Sequence, residues 1–337
     1  MINIFYDPNY SKTKKTLFTK KLKYSSVVQW INLTFLKLRI PINENLIFSG
    51  PQKRINNLIK TFKTSDFVFN KIRHEFSYIV QFDKFGEHIL KKIISLDNFK
   101  NHIVFVGPLF NIEYQSKLVE YVKKYENIKI LVASEASKNN LINELPFMLK
   151  FKDVIVCPSG VISMRNLESE VGDLRNDKCL IYYKNRPKEQ LDEVLKFLEL
   201  KNIEFEIFEY GKYKNRELKR AGKRFKFGIY LSRIESQGFA VQEIMSMNLP
   251  LIVWDDIDIA SKAISKYYNQ PQITGTSITY WSDECGIKVH DFSELKNEFD
   301  LFINNLENYK PQNLIMEKLT YEHIRQYLVD EFIKIKK

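Results

Sequence analysis

Residues 227–254 read FGIYLSRIESQGFAVQEIMSMNLPLIVW, and this stretch decides the fold. Its first apolar run stops near Leu231, which predicts the end of a buried strand. Gly238 then permits a tight turn, and a helix is predicted over 240–247. A second apolar run at 250–254 predicts another strand. A strand, a helix and a strand in this order are typical of parallel α/β architecture.

The same alternation continues on both sides of this stretch. In the second half it predicts further helices at 188–200 and 215–222 and strands at 179–183, 203–208, 227–231 and 250–254. In the first half it predicts strands at 2–6, 45–49, 66–69, 78–81, 102–106, 128–132 and 153–157. The alternation stops near 158–160, and a polar stretch follows through Asp177.

The two series predict two Rossmann-like α/β domains facing a cleft, because each opens on a strand and the two are similar in length. We place these domains at 1–170 and 171–311, and we predict a C-terminal helix within 312–337. In parallel sheets of this kind ligands bind beyond the carboxyl ends of the strands. Functional residues are therefore expected at those ends.

The composition is that of a folded globular protein. Of the 337 residues, 44% are hydrophobic and 28% are charged. No apolar run approaches the ~18 residues that span a bilayer, and residues 1–7 do not resemble a secretory signal. The three cysteines, Cys157, Cys179 and Cys285, form no CxxC pair, which argues against a disulfide framework and a structural zinc site. Together these features predict a cytoplasmic protein.

The positive charge belongs to the first half of the chain. Residues 1–175 contain 27 Lys+Arg and 16 Asp+Glu, whereas residues 176–337 contain 25 of each, so the net charge of +11 lies in the first half. This predicts an anionic partner there. The basic stretch 12–23 leads into an apolar one, which suits peripheral contact with anionic lipid headgroups and equally suits a solvated loop beside a core helix. The balanced second half argues against nucleic acid, and its basic cluster at 212–226 is interpreted as a solvated helix face.

The turn at Gly238 is suited to an anionic ligand. The first amides of the following helix, at Phe239 and Ala240, lie at its positive end, where phosphate binds readily. Glu235 precedes the turn and Glu243 lies about one helical turn inside the helix, so both are expected to face the cleft. Two carboxylates that flank a phosphate site match a ligand with a phosphate between two sets of hydroxyls, which is the layout of a nucleotide sugar. The alternative is two solvated or capping carboxylates at a helix start.

This stretch resembles the signature of the retaining, GT4-like glycosyltransferases of the GT-B fold, a Glu-x7-Glu motif within a longer frame. The chain keeps six positions of the frame, namely Ser232, Glu235, Gly238, Glu243, Met245 and Pro250. Leu231 stands where the frame has proline. Asn248 replaces a glycine and also tolerates a left-handed conformation. The resemblance implies the GT-B architecture, in which the C-terminal helix packs back toward the first domain.

The resemblance also implies roles for individual residues. Glu235 is expected to hold hydroxyls of the donor sugar near the reaction centre, as the catalytic residue. Glu243 is expected to bind the nucleotide ribose, and the backbone around Gly238, Phe239 and Ala240 the diphosphate. The family places an arginine and a lysine on the first strand–helix corner of this domain to neutralise the diphosphate.

That corner reads YYKNRPK over 182–188. Arg186 is the expected match for the arginine, because its planar fork suits phosphate oxygens. The family's later lysine is missing at Gln190, and Lys184 or Lys188 is expected to replace it.

The function implied is transfer of a sugar from a nucleoside-diphosphate donor to a glycan, glycoprotein or lipid-linked acceptor, with retention and with no cofactor or metal. Inverting transfer and nucleotide-sugar epimerisation on the same fold are alternatives. A basic, non-enzymatic binder of membrane or nucleic acid is the alternative of another class.

Three other features leave narrower questions open. Asp256 and Asp258 form a DxD pattern, which holds Mn²⁺ in a different glycosyltransferase fold. The segment 276–286 either lines the cleft or caps the sheet. None of the five histidines matches a catalytic motif.

Overall fold

The computed structural model describes residues 1–7, 35, 38, 50–62, 67–110, 112–144, 149–168, 176–213, 215–221, 224–265 and 274–336. The predicted strand at 45–49 and the basic stretch 12–23 lie outside these residues. The chain divides into two compact units. The first is Met1–Gly160 together with Tyr321–Lys337, and the second is Val161–Thr320.

The first unit is a parallel sheet covered by helices on both faces. Its strands are β1 Ile2–Phe5, β2 Phe67–Phe69, β3 Phe76–Phe82, β4 Ile103–Phe110, β5 Ile128–Val132 and β6 Val154–Val156. Its helices are α1 Gly50–Phe62, α2 Lys84–Ile94, α3 Ile112–Lys124, α4 Glu135–Glu144 and, at the end of the chain, α12 Tyr321–Lys336. The strand order is β2-β1-β3-β4-β5-β6.

Buried strands with apolar side chains on both faces hold this unit together, as parallel sheets require. Ile4 faces the layer that contains α1 and α12, whereas Phe5 faces the layer of α2 and α3. The ring of Phe332, on α12, stacks on Phe105 of β4 with centroids 3.9 Å apart. The expectation that a C-terminal helix packs back on the first domain is confirmed.

The second unit repeats the architecture with five parallel strands in the order β11-β10-β9-β7-β8. The strands are β7 Asn176–Lys184, β8 Phe205–Glu209, β9 Phe225–Ser232, β10 Leu251–Trp254 and β11 Gly286–Val289. The helices are α5 Met164–Glu168, α6 Lys188–Leu200, α7 Asn215–Ala221, α8 Phe239–Ser246, α9 Ile257–Ile264, α10 Phe292–Asn304 and α11 Pro311–Lys318. The predicted α/β class with two Rossmann-like domains is confirmed.

The two faces of the second sheet form separate core layers. Tyr182 and Tyr230 face the layer that contains α8 and α11, and Ile181 and Trp254 face the layer of α6 and α10. The motif helix α8 therefore packs on one defined face. This alternation decides which side chains at the strand ends can meet.

The C-terminal segment differs from the single helix predicted within 312–337. It forms two helices, because Thr320 pairs with Ile162 in an isolated parallel bridge that interrupts the helix between Lys318 and Tyr321. Helix α11 packs on α8 in the second unit. The chain passes between the units after Gly160 and after Thr320. The junctions predicted from the sequence lie after residues 170 and 311 instead.

Two further observations concern the described residues. None of their helices is both long and apolar enough to cross a membrane. Cys157, Cys179 and Cys285 are all buried with free thiols.

Candidate functional site

The motif segment folds as a strand, a glycine turn and a helix. Strand β9 ends at Ser232, and helix α8 begins at Phe239 after Gly238, whose φ of +85° is left-handed. A Cβ atom at this position would lie 2.9 Å from Val241 Cγ1, so a side chain here would be strained by the backbone conformation and would require Val241 to shift. The predicted left-handed residue after the helix is also confirmed, since Asn248 has a φ of +54°.

The start of α8 has no side-chain cap. The first bond within the helix runs from the amide of Gln242 to the carbonyl of Gly238, at 3.1 Å. The amides of the first turn, including that of Ala240, precede this bond and point away from the helix body. A ligand anion can therefore be bound by these amides and by the positive end of the helix dipole.

Glu235 is held by three hydrogen-bond donors that converge on one carboxylate oxygen. Lys184 Nζ lies 2.6 Å from Glu235 Oε1, and the hydroxyls of Tyr230 and Ser232 each lie 2.9 Å from the same atom. Oε2 has no hydrogen-bond partner among the described residues. The carboxylate is thus fixed on one side and open to a ligand donor on the other.

Strand register explains why these donors meet. Lys184 is the Cα partner of Ser232, and Tyr182 is the partner of Tyr230, in the β7–β9 ladder. Side chains two residues apart on a strand share a face. Lys184, Tyr230 and Ser232 therefore lie on one face at the carboxyl ends of two adjacent strands, where Glu235 follows.

Lys184 occupies the position that the sequence analysis predicted for a diphosphate-binding lysine. Its Nζ atom lies 5.0 Å from the centre of the Tyr210 ring, a cation–π distance. The side chain is 20% exposed, so it remains accessible while it pairs with Glu235. The structure brings Lys184 and Glu235 together in an ion pair.

Arg186 is placed differently. Its guanidinium carbon lies 5.2 Å from the centre of the Trp254 ring, and Nη2 lies 3.9 Å from Asp256 Oδ2. The side chain is fully buried, and none of its three nitrogen atoms forms a hydrogen bond within the described part of the chain. Burial lowers the pKa of the guanidinium, and the charges of Asp256 and Asp255 oppose this shift. The contacts of Arg186 are thus on the Trp254 face, not with Glu235.

Glu243 is buried within α8 and is 5% exposed. Burial raises the pKa of Tyr213, and the negative charges of Glu243 and Glu235 raise it further. Tyr213 thus interacts electrostatically with both carboxylates of the motif.

The aspartates after β10 have partners of their own. Asp255 accepts hydrogen bonds from the backbone and hydroxyl of Ser277 and from the hydroxyl of Thr276. Asp256 caps α9 through the amide of Ile259, at 3.0 Å, and accepts a bond from Gln190 Nε2, at 2.9 Å. Among the described residues, no group of three or more His, Cys, Asp or Glu side chains is arranged to hold a metal ion.

The segment that follows 274 lies against the motif loop. The carbonyl of Thr276 accepts a hydrogen bond from the amide of Glu235, at 3.0 Å. The hydroxyl of Thr279 donates a hydrogen bond to the carbonyl of Gln237, at 2.9 Å. Tyr280 and Trp281 pack on the core layer of α8. The segment therefore fixes the loop that carries Glu235 and packs on the core layer of α8.

Tyr230 and Tyr213 contribute to the site without having been singled out from the sequence, and Thr276 was noted only as part of the segment 276–286. Only Tyr230 had a usable signal, since it stands two residues before Ser232 on a strand and must share its face.

The basic cluster at 212–226 includes surface ion pairs, as Lys212 pairs with Glu209 and Arg224 with Glu206.

No protein-family model and no curated protein matches the sequence. Solved structures match the fold. A mutant of TarM from S. aureus, crystallised with fondaparinux, alpha-GlcNAc-glycerol and UDP, matches 82% of this chain with 14% identity and a TM-score of 0.50. This chain spans only 59% of the TarM chain. The match shows a shared fold, with two parallel α/β sheets as in GT-B glycosyltransferases.

Two further structures match with lower scores. The GtfA/B complex matches 83% of this chain and 61% of its own, with 12% identity and a TM-score of 0.48. AviGT4, a glycosyltransferase involved in avilamycin A biosynthesis, matches 99% of this chain and 97% of its own, with 9% identity and a TM-score of 0.43.

Proposed function

We propose that this chain is a glycosyltransferase that moves a sugar from a nucleoside-diphosphate donor to a glycan, glycoprotein or lipid-linked acceptor, with retention and without a metal ion. The observation that carries the proposal is the arrangement around Glu235. One carboxylate oxygen is saturated by Lys184, Tyr230 and Ser232, the other is open, and the start of α8, which has no side-chain cap, follows after Gly238.

The donor is bound along the motif. The amides at the start of α8 and the ammonium of Lys184 bind the diphosphate, because they present positive charge at the carboxyl ends of β7 and β9. Glu243 binds the ribose from one turn inside the helix. Glu235 Oε2 accepts a hydrogen bond from a hydroxyl of the sugar, and this contact places C1 of the sugar beside the diphosphate.

The chemistry follows from this arrangement. The bond between C1 and the phosphate oxygen breaks with its electron pair on the diphosphate, which leaves an oxocarbenium-like sugar. The acceptor oxygen forms its bond to C1 on the same face, and its proton passes to the departing phosphate. Lys184 and the α8 amides stabilise the charge that develops on the leaving group. Arg186 joins them after its guanidinium turns from the Trp254 face.

We place the acceptor on the first domain, whose excess of positive charge suits an anionic glycan or a lipid-linked acceptor at a membrane surface. The protein then works in the cytoplasm, free or peripherally bound to anionic lipid. The UDP in the TarM complex makes UDP the first nucleotide to test.

Thermal unfolding in the presence of UDP, GDP, dTDP and CMP, with and without Mn²⁺, tests the proposal. A ligand that binds only the native state stabilises it by about 2.7 kcal/mol at a hundredfold excess over Kd. We expect one diphosphate to raise the melting temperature equally with and without Mn²⁺, and Glu243→Gln to abolish the increase. Glu193→Ala, on the exposed side of α6, is the matched control.

Other outcomes assign the site differently. A shift that needs Mn²⁺ would transfer the diphosphate site to Asp256 and Asp258. Absence of any shift would contradict the transferase and leave a basic, non-enzymatic binder. For a nucleotide sugar that is turned over, the anomer of the product distinguishes retention from inversion, and an isomerised donor identifies an epimerase.

A further inference from the structure

We propose that Tyr230 is a positioning residue for Glu235: its hydroxyl fixes Oε1 so that only Oε2 is presented to the donor sugar. This inference rests on the proposed function, because it assigns a consequence for sugar transfer. It concerns a residue that lies outside the six motif positions.

Tyr230 is held more rigidly than Lys184, another donor to Oε1. Its side chain is wholly buried, and its ring stacks on that of Tyr182 with centroids 4.9 Å apart and an interplanar angle of 9°. The two tyrosines are Cα partners in the β7–β9 ladder. The hydroxyl therefore has one position, 2.9 Å from Glu235 Oε1. Lys184, by contrast, has a long side chain that is partly exposed.

The hydroxyl of Tyr230 can only donate in this contact, because an ionised carboxylate accepts hydrogen bonds and donates none. Burial raises the pKa of Tyr230 well above its ordinary value, and the charge of Glu235 raises it further. The phenol stays protonated throughout the neutral pH range. Glu235 thus keeps this donor even when Lys184 turns toward a bound diphosphate.

This arrangement predicts which kinetic constants depend on Tyr230. The diphosphate is bound by the α8 amides and Lys184, so its affinity does not need the phenol. Orientation of the sugar depends on Oε2, and a misplaced orienting group slows the chemical step strongly. Loss of the hydroxyl should therefore lower kcat while leaving nucleoside-diphosphate affinity unchanged.

Tyr230→Phe removes the hydroxyl and keeps the stacked ring. The assay is release of nucleoside diphosphate from UDP-glucose, UDP-N-acetylglucosamine, GDP-mannose and dTDP-glucose, with water as the acceptor that replaces the diphosphate at C1. We expect kcat to fall about tenfold or more, with the Kd for the diphosphate within twofold of wild type. Tyr309→Phe is the matched control: its ring stacks on Phe302 in the layer of α6 and α10, on the face of the sheet opposite to Tyr230, and we expect no loss.

A double-mutant cycle with Glu235→Gln measures the coupling of the two residues in kcat, and a tyrosine with only a structural role would show no such coupling. If Tyr230 acts through Glu235, Tyr230→Phe has no further effect on kcat in that background. If Glu235→Gln leaves too little turnover for the cycle, the comparison of kcat with Kd decides alone. An unchanged kcat in Tyr230→Phe, or equal losses in kcat and affinity, overturns the inference while the transferase stands. A wild-type chain that neither binds a diphosphate nor turns over a donor overturns both.

Discussion

Lys184 and Glu235 form an ion pair of 2.6 Å although they are 51 positions apart in the chain. They meet because β7 and β9 are adjacent and parallel, so that Lys184 lies opposite Ser232 and the chain after Ser232 returns Glu235 over the same face. The pair places a cation and a carboxylate beside the start of α8. The proposed function uses both, the cation for the diphosphate of the donor and the carboxylate for its sugar.

Lys184→Met keeps the length of this side chain and removes its charge. We expect nucleoside-diphosphate affinity to fall about 10- to 100-fold, because a charge-assisted hydrogen bond contributes about 1.5–3 kcal/mol. Isothermal titration calorimetry with the diphosphate that binds wild type measures the loss. Lys188→Met, at the exposed start of α6, is the control, with little effect expected. Equal losses of affinity in the two variants would show that the diphosphate is bound by general positive charge rather than by the ammonium of Lys184.

Gly238→Ala forces a side chain into a left-handed position with a contact of 2.9 Å to Val241 Cγ1. We expect the free energy of unfolding to fall by about 1–3 kcal/mol and nucleotide binding to be lost, since the α8 amides shift. Gly211→Ala is the matched control, because Gly211 has nearly the same φ of +83° but lies outside the motif. It should lose stability by urea denaturation and retain binding. Retained binding in Gly238→Ala would show that the turn does not receive the phosphate.

The strand–turn–helix of the motif could be predicted because each local signal agreed. Leu231 ends an apolar run, Gly238 has the only residue type that accepts its φ without strain, and Asn248 tolerates the left-handed position after α8. Local propensity and tertiary structure coincide here. Strand β11 had no such agreement: it is only four residues long, and Gly286 is required at its start by the backbone of Leu251, 2.0 Å from where a Cβ would lie.

The position of Arg186 could not be predicted from spacing alone. Arg186 stands two positions after Lys184, which on a continuing strand would give both side chains one face. Asn185 has a φ of +54°, and this left-handed residue turns the chain at the end of β7. Arg186 therefore reaches Trp254, which belongs to the opposite core layer. The sequence shows asparagine, but not whether its backbone is left-handed.

His74 predicts a pH dependence of stability in the first unit. Its pKa is lowered by burial and then by nearby positive charge that includes Arg73, and its Nε2 atom is buried with no hydrogen-bond partner among the described residues. Above pH 6.5 the ring is neutral in both the folded and the unfolded chain, so it does not change the free energy of unfolding. As the pH falls below 6.5, the unfolded chain binds the proton first, so stability falls until the folded pKa is passed.

Urea unfolding between pH 5 and pH 8 measures this effect. We expect His74→Gln to reduce the fall in the free energy of unfolding below pH 6.5. Above that pH the dependence of this free energy on pH should match wild type. His88→Gln, on the exposed side of α2, is the matched control and should follow wild type. A decline of equal steepness in all three proteins would assign it to other groups.

Arg186 predicts a conflict between stability and binding. A buried cation is poorly compensated when its nearest counter-charge among the described residues lies at 3.9 Å and it forms no hydrogen bond with them. Asp256 keeps its hydrogen bonds from Gln190 and Ile259 when this cation is removed. We therefore expect Arg186→Met to raise the free energy of unfolding of the nucleotide-free protein. If the guanidinium turns to the diphosphate as proposed, the same variant binds the nucleotide more weakly, so the ligand stabilises it less than wild type.

Asp256→Asn separates charge from structure at this position, because asparagine still caps α9 through the amide of Ile259. Removal of the counter-charge should destabilise the protein with Arg186 present and have little effect in the Arg186→Met background. Urea denaturation of the four proteins gives the coupling free energy directly. A less stable Arg186→Met, with no coupling to Asp256, would mean that the guanidinium contributes by packing on Trp254. The residue would then belong to the core of the domain and the diphosphate would depend on Lys184 and the α8 amides.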